Sequence, residues 1–437
     1  MIEDRIRKVV EMDTLPIELL LKIFSYLELS DIMCTIPQVC KLWKSVAADQ
    51  SMVKALEVDE EDQVFYLNLC LRAVKHYKLI THCKFVFRFH RYEDHSNTEI
   101  IIPIIQELAQ NCSHLLELSI SGGNLMVFQE AIEKLLSKCC KIQKLAIDDH
   151  SFLSSEFFSK VQSLETFNLY LHIPEYAEKA ASALTKSSIR LKEIAIDSGI
   201  PFGVRDDCFK IIDHFKSTLK SLHYVYPNET IFDAIAKCCN LEVLNLKIHY
   251  LNFETLLDED WLKITASNKL KMLRIGWIDD MPPEILRQII VHPNMSNLKV
   301  LSLDQGIHDN GITQYLSVIA SSCPNLVILE IYSRWKLIPF LWLDVILSRC
   351  KKLVILRVTK VDNNPTDLAK IVDFDNLPPD LKIMDIMKSD YNKIAYISDL
   401  ESVRKLYRNK LFRRMSYSEL RSALTGVEPE VFQLASK

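Results

Sequence analysis

The chain has 437 residues, is 49% hydrophobic and carries a formal net charge of -4. It is long enough for two or three domains or one repeat array, too apolar for wholesale disorder and not basic enough for a dedicated nucleic-acid binder. Its 8 glycines build no phosphate loop, nucleophile elbow or dinucleotide fingerprint, which removes most nucleotide and hydrolase classes. The most apolar run, Leu337 to Leu347, is interrupted by Pro339 and Asp344 and is too short to span a bilayer. Met1 to Lys8 is charged, so no signal peptide is expected and the chain reads as soluble, in the cytoplasm or nucleus. Its twelve cysteines include no Cys-x-x-Cys pair and read as buried thiols, without a metal or other cofactor.

The first segment, 14–57, predicts a compact helical unit. Asp13 and Thr14 offer acceptors for a first turn, and Pro16 needs no amide partner there. Leu19, Leu20, Ile23, Phe24 and Leu27 follow at helical spacing, Ser30 and Asp31 offer a second cap, and Val39, Cys40, Trp43 and Val46 make another stripe. Such a short stretch is too small to bury both stripes by itself, so part of the apolar surface needs a partner. The order Leu15-Pro16-x-Glu18-Leu19-Leu20-x-x-Ile23-Phe24-Ser25-Tyr26-Leu27, then Val39-Cys40-Lys41-x-Trp43, resembles the F-box. The resemblance implies three helices docked on the small adaptor of the SCF class of cullin-RING ubiquitin ligases. The contacts it implies are Leu15, Pro16, Leu19, Leu20, Ile23, Phe24, Leu27, Val39, Cys40 and Trp43. Val53 stands where F-boxes often carry a tryptophan, and Pro37 sits at the joint of the second and third helices. The alternative is a helical hairpin that caps the next domain.

Residues 58–110 read as a linker and an N-terminal cap or first repeat. The acidic Asp59 to Asp62 leads into a helical run to about His76, Phe85 to Phe89 alternates like a strand, and Thr98 to Gln110 is helical. His82, Cys83, His90 and His95 match no zinc spacing and read as strand-edge side chains.

A repeat dominates 111–387. An anchor aliphatic, two variable residues, an aliphatic, a variable residue and another aliphatic occur in Leu115-Leu116-Glu117-Leu118-Ser119-Ile120. Further anchors are Ile142, Leu164, Leu191, Leu219, Leu241, Leu270, Leu298, Leu326, Leu353 and Leu381, at intervals of 22 to 29 residues. Phe167 and Tyr224 replace aliphatics in the least regular units, and Cys112, Cys139, Cys238, Cys323 and Cys350 each lie three residues before an anchor. Strand alternation turns the aliphatics inward, a helical stretch closes each unit, and stacking buries what one unit cannot. Period and pattern resemble the longer, helix-bearing leucine-rich repeats. The expected fold is α/β: a three-helix F-box, then a curved leucine-rich-repeat solenoid of about 11 to 12 repeats. Residues 388–437 read as a helical C-terminal cap, with Leu400, Val403, Leu406 and Tyr407 on one side and Arg404, Lys405, Arg408, Lys410, Arg413 and Arg414 on a solvated or anion-binding face.

The resemblance implies a substrate-recognition subunit without bond chemistry of its own. It would hold the adaptor, and through it the cullin-RING core, at one end and an unknown target protein at the other, with no membrane or nucleic-acid partner. The residues between the aliphatics line the expected concave face. Aromatics and arginines dominate interface energetics, which singles out Tyr170, Arg274, Tyr332 and Arg357, with Trp277, Arg334 and Trp335 as a rim. The competing function is a leucine-rich-repeat scaffold or inhibitor outside the ubiquitin system.

Overall fold

The computed structural model describes residues 15–59, 61–87, 97–122, 125–147, 155–170, 174–197, 205–225, 227–247, 257–276, 283–305, 312–333, 338–339, 341–359, 361–362, 378–381 and 383–387. The chain forms two compact units, Met1–Tyr170 with Glu178–Leu191, and Leu171–Ala177 with Lys192–Lys437.

The first unit opens with α1 (Ile17–Phe24), a π-helical turn (Asp31–Thr35), α2 (Ile36–Val39) and α3 (Lys41–Ala47). Strands and helices then alternate: β1 (Ala55–Asp59), α4 (Val64–His76), β2 (His82–Val86), a helix at Thr98–Asn111, β3 (Glu117–Ser121), a helix at Gln129–Lys138, β4 (Lys144–Ile147) and β5 (Thr166–Tyr170). Each strand pairs in parallel with the next. Leu56, Cys83, Leu118, Leu145 and Phe167 share one register, and Val58, Phe85, Ile120, Ile147 and Leu169 the next inward one; all ten are buried. Two residues along a strand return to the same face, so two adjacent ladders of this kind form the core.

The second unit continues the same grammar. Its strands are β6 (Glu193–Asp197), β7 (Ser221–Val225), β8 (Val243–Lys247), β9 (Met272–Gly276), β10 (Val300–Gln305), β11 (Ile328–Ser333), β12 (Ile338–Pro339), β13 (Ile355–Thr359), β14 (Val361–Asp362) and β15 (Ile383–Met387). Pairing is parallel from β6 through β11 to β13 and β15, while β12 and β14 pair separately. Ile194, Leu222, Leu244, Leu273, Leu301, Leu329 and Leu356 form one buried ladder. Tyr224 occupies an inward register among Ile196, Leu246 and Ile275, so the aromatic replacements keep the repeat in phase. Helices such as Glu229–Ala236, Pro283–Val291 and Ile312–Ser322 follow the strands and bury their apolar stripe.

Two strands precede the first anchor recognised in the sequence. Val53-x-x-Leu56-x-Val58 and Ile80-x-x-Cys83-x-Phe85 obey the same pattern, with Val53 4% and Ile80 0% exposed. Ala55 to Glu57 therefore belong to β1 rather than to the helical unit, and the strand expected at Phe85 to Phe89 is centred three residues earlier. Val53 is a repeat anchor. Asp13, Thr14 and the 388–437 segment, with its amphipathic and basic residues, lie outside the described residues.

The five cysteines before anchors are buried, and three of them donate hydrogen bonds: the Cys112 thiol to the Tyr77 carbonyl at 3.8 Å, the Cys139 thiol to the Cys112 carbonyl at 3.4 Å, and the Cys238 thiol to that of Ala234 at 3.3 Å. Burial pushes the Cys139 and Cys238 thiols up to about 12, with the neighbouring Cys112 adding for the first and Cys239 and Asp213 for the second. Cys140 and Cys239, one residue on, are exposed. A thiol reagent at pH 8 is expected to label Cys140 and Cys239 in the native protein and Cys139 and Cys238 only after denaturation, as peptide mass mapping would read. Gly122 has a φ of +80, and a Cβ there would lie 1.7 Å from the Phe87 carbonyl oxygen. Gly122→Ala should lower the unfolding free energy by at least about 1–2 kcal/mol in denaturant titration.

Candidate functional site

The N-terminal helices divide their apolar residues between core and surface. In α1, Leu20 is 0% and Phe24 1% exposed, and the Phe24 ring meets Trp43 of α3 edge-on at 5.0 Å. These side chains therefore hold the helices together and are not free for a partner. Trp43 is half-buried, and its Nε1 is buried without a hydrogen-bond partner. Cys40 departs from the helical stripe read in the sequence. Its backbone is extended, φ -159 and ψ 171, and separates α2 from α3. Its sulfur accepts from the Trp43 amide at 3.4 Å and caps α3. Pro37 sits in the first turn of α2, directly after the π-helical turn, and the joint with α3 falls at Cys40 instead.

The outer surface carries what remains. Leu19 is 47%, Ile23 40%, Leu27 40% and Val39 55% exposed, Pro16 is exposed and Leu15 half-buried. Ile17 at 51% and Tyr26 at 80% join them and were not singled out in the sequence, although Ile17 follows the Leu-Pro pair directly. Leu19 and Ile23, four residues apart, share one side of α1, and this many exposed apolar side chains is more than a monomer has reason to leave in water.

This patch is carried on a fixed joint. The Tyr77 hydroxyl donates to the Ala47 carbonyl at 2.7 Å, a His76 ring nitrogen lies 3.2 Å from the Ala48 carbonyl, and the Lys78 amide donates to the Gln50 side chain at 2.7 Å. Met52 and Val53 are buried beneath it.

The second unit brings together three of the seven sheet-face candidates. Arg274, Ser302, Glu330 and Arg357 share one register across β9, β10, β11 and β13. An Nη of Arg357 donates to Glu330 Oε1 at 2.8 Å, and an Nη of Arg274 reaches Glu330 Oε2 at 3.5 Å. Glu330, expected exposed, is 5% exposed because both guanidiniums cover it. Burial works against the Arg357 charge, but the Glu330 carboxylate and Tyr332 outweigh it and hold its pKa above the ordinary value. Burial raises the Tyr332 hydroxyl, and the Glu330 charge adds to this. The preceding register on this face is not polar: Val243, Met272, Val300, Ile328 and Ile355 are all buried. Tyr170 ends β5, while Trp277, Arg334 and Trp335 lie outside the described residues.

In β2, His82 is exposed against Thr81 while Cys83 is buried on the other side, so the two do not converge; His90 and His95 lie outside the described residues. Among the described residues no helix is long and apolar enough to cross a membrane.

His223 shares the register of Asn245 and Arg274. Burial first, then the charges of Lys247 and Arg274, push its pKa down to about 4, against the pull of Asp197. A histidine depressed in the folded state is protonated first in the unfolded chain, so stability should fall as pH drops from about 6.5 towards 4. His223→Gln is expected to flatten that acid limb in pH-dependent denaturation.

An F-box-like family model matches residues 12–56. No curated protein matches the sequence significantly. Among solved structures, a chain from "Crystal structure of Rad7 and Elc1 complex in yeast" is similar at 15% identity and a TM-score of 0.43, over 88% of this chain and 91% of that one.

Proposed function

From an F-box-like domain followed by leucine-rich strand–helix units, we propose that the chain is the substrate-recognition subunit of an SCF ubiquitin ligase. The observation that carries this is the exposed patch of Ile17, Leu19, Ile23, Tyr26, Leu27 and Val39 within the matched segment. It offers the adaptor a helical apolar face, with Leu15 and Pro16 at its edge and Leu20, Phe24, Cys40 and Trp43 fixing its shape from within. A target protein is received on the sheet face of the second unit, around Arg274, Tyr332 and Arg357, with Trp277, Arg334 and Trp335 as further candidates by sequence position and Tyr170 of the first unit as a separate candidate.

The chemistry belongs to the conjugating enzyme that the cullin-RING core recruits. This chain contributes proximity: a tethered target lysine meets the charged enzyme at an effective concentration that free diffusion does not reach. The joint of Tyr77, His76 and Gln50 makes the tether stiff where the F-box-like helices meet the first repeats.

The test is co-expression of the full chain with the SCF adaptor, followed by affinity capture and size-exclusion chromatography. Leu19→Asp with Ile23→Asp places charge on exposed positions and should leave the circular dichroism unchanged. If each side chain is worth about 1.4 kcal/mol or more at the contact, the pair weakens the complex by at least about 100-fold. A folded wild-type chain that ignores the adaptor would overturn this function and leave the other, a leucine-rich-repeat scaffold or inhibitor outside the ubiquitin system.

A further inference from the structure

The charges on the second unit alternate along one register: Arg274, Ser302, Glu330, Arg357 and Asp385. One carboxylate, Glu330, faces two guanidiniums, and each of its oxygens is engaged by one of them. Arg274 lies two strands away and reaches across β10, where Ser302 leaves the room for it. A purely structural arginine–carboxylate pair favours the two-pronged fork, because it satisfies two donors at once. Arg274 instead meets Glu330 end-on at 3.5 Å, and its Nε is buried without a partner. A guanidinium has five N–H donors; among the described residues, Arg274 meets Glu330 and Arg357 meets Glu330 and Tyr332, which engages fewer than half of the donors on each. Behind burial, Lys247 and Arg274 both act to lower the His223 pKa, against Asp197. Acidic groups on β6 to β11 are Glu193, Asp197, Asp304 and Glu330, with Asp385 at the Arg357 register on β15.

We propose that Arg274 and Arg357 form an anion-binding pair that takes a carboxylate or phosphate group of an acidic peptide, with Glu330 as the positioning residue that holds them parallel. This rests on the reading that the sheet face receives the target, but not on adaptor binding. Glu330 occupies the pair in the absence of ligand and competes with it. Tyr332, hydrogen-bonded to Arg357, keeps that side chain from swinging out when the ligand displaces the carboxylate.

The competition gives the test its sign. Full-length protein is titrated against fluorescein-labelled hexaglutamate, hexaglutamine and a Gly-Ser peptide with one phosphoserine, followed by fluorescence anisotropy. The acidic probes should bind and hexaglutamine should not. Glu330→Gln removes the competing charge while keeping an acceptor for both arginines, and should tighten acidic-probe binding by about tenfold. Arg357→Gln and Arg274→Lys should weaken it by about the same factor, with Lys352→Gln, at an exposed turn, as the unchanged control. Preference for hexaglutamate assigns a carboxylate and preference for phosphoserine a phosphate. Either supports the pair. Equal binding of hexaglutamine, no binding of either acidic probe, or a folded Glu330→Gln protein that binds them no better would overturn it. A chain that binds the adaptor but neither acidic probe loses this inference alone; one that binds the probes but not the adaptor loses only the ligase assignment.

Discussion

Everything in this molecule depends on the inability of one strand–helix unit to bury its own apolar face. A strand of five residues turns two side chains inward, and those two cannot enclose themselves. Parallel neighbours one strand spacing away supply the missing walls, which is why Leu244, Leu273, Leu301 and Leu329 stand at one register with essentially no exposure. The polar side chains have no freedom in this scheme. Arg274 and Arg357 face the same way because the leucines beside them face the other.

The N-terminal helices solve the same problem differently. They are too few to form a ladder, so Phe24 and Trp43 close a small core, and β1 takes Val53 and Met52 as its floor. What is left over lies outside, on Leu19, Ile23 and Val39. The apolar surface that stacking removes elsewhere is here exposed.

The repeat was legible because its period and alternation are local properties of the sequence. Its first two units were not, since Cys83 and Phe85 stand for aliphatics and Val53 falls where the helical motif led to a different expectation. On the helices, spacing alone placed Leu19 and Leu20 on one stripe; the structure separates them, because only the bend at Cys40 decides which side meets α3. On the sheet, arginines and aromatics drew attention as residue types. Their convergence on Glu330 was invisible, because Arg274 and Glu330 lie 56 positions apart and meet only when the register across three strands is added up.

The joint between helices and repeats has a consequence for how the sequence can drift. Tyr77 and His76 reach main-chain oxygens, those of Ala47 and Ala48, and no side chain. Every residue but its own backbone is irrelevant to such an acceptor. The exposed Ala48 can therefore be exchanged freely, and the buried Ala47 within the limits of its space, without loosening the connection. Of the three joint contacts only one draws on a side chain of the helical segment, the Gln50 oxygen that accepts from the Lys78 amide. The docking surface can then evolve toward a changed partner while its mounting stays as it was.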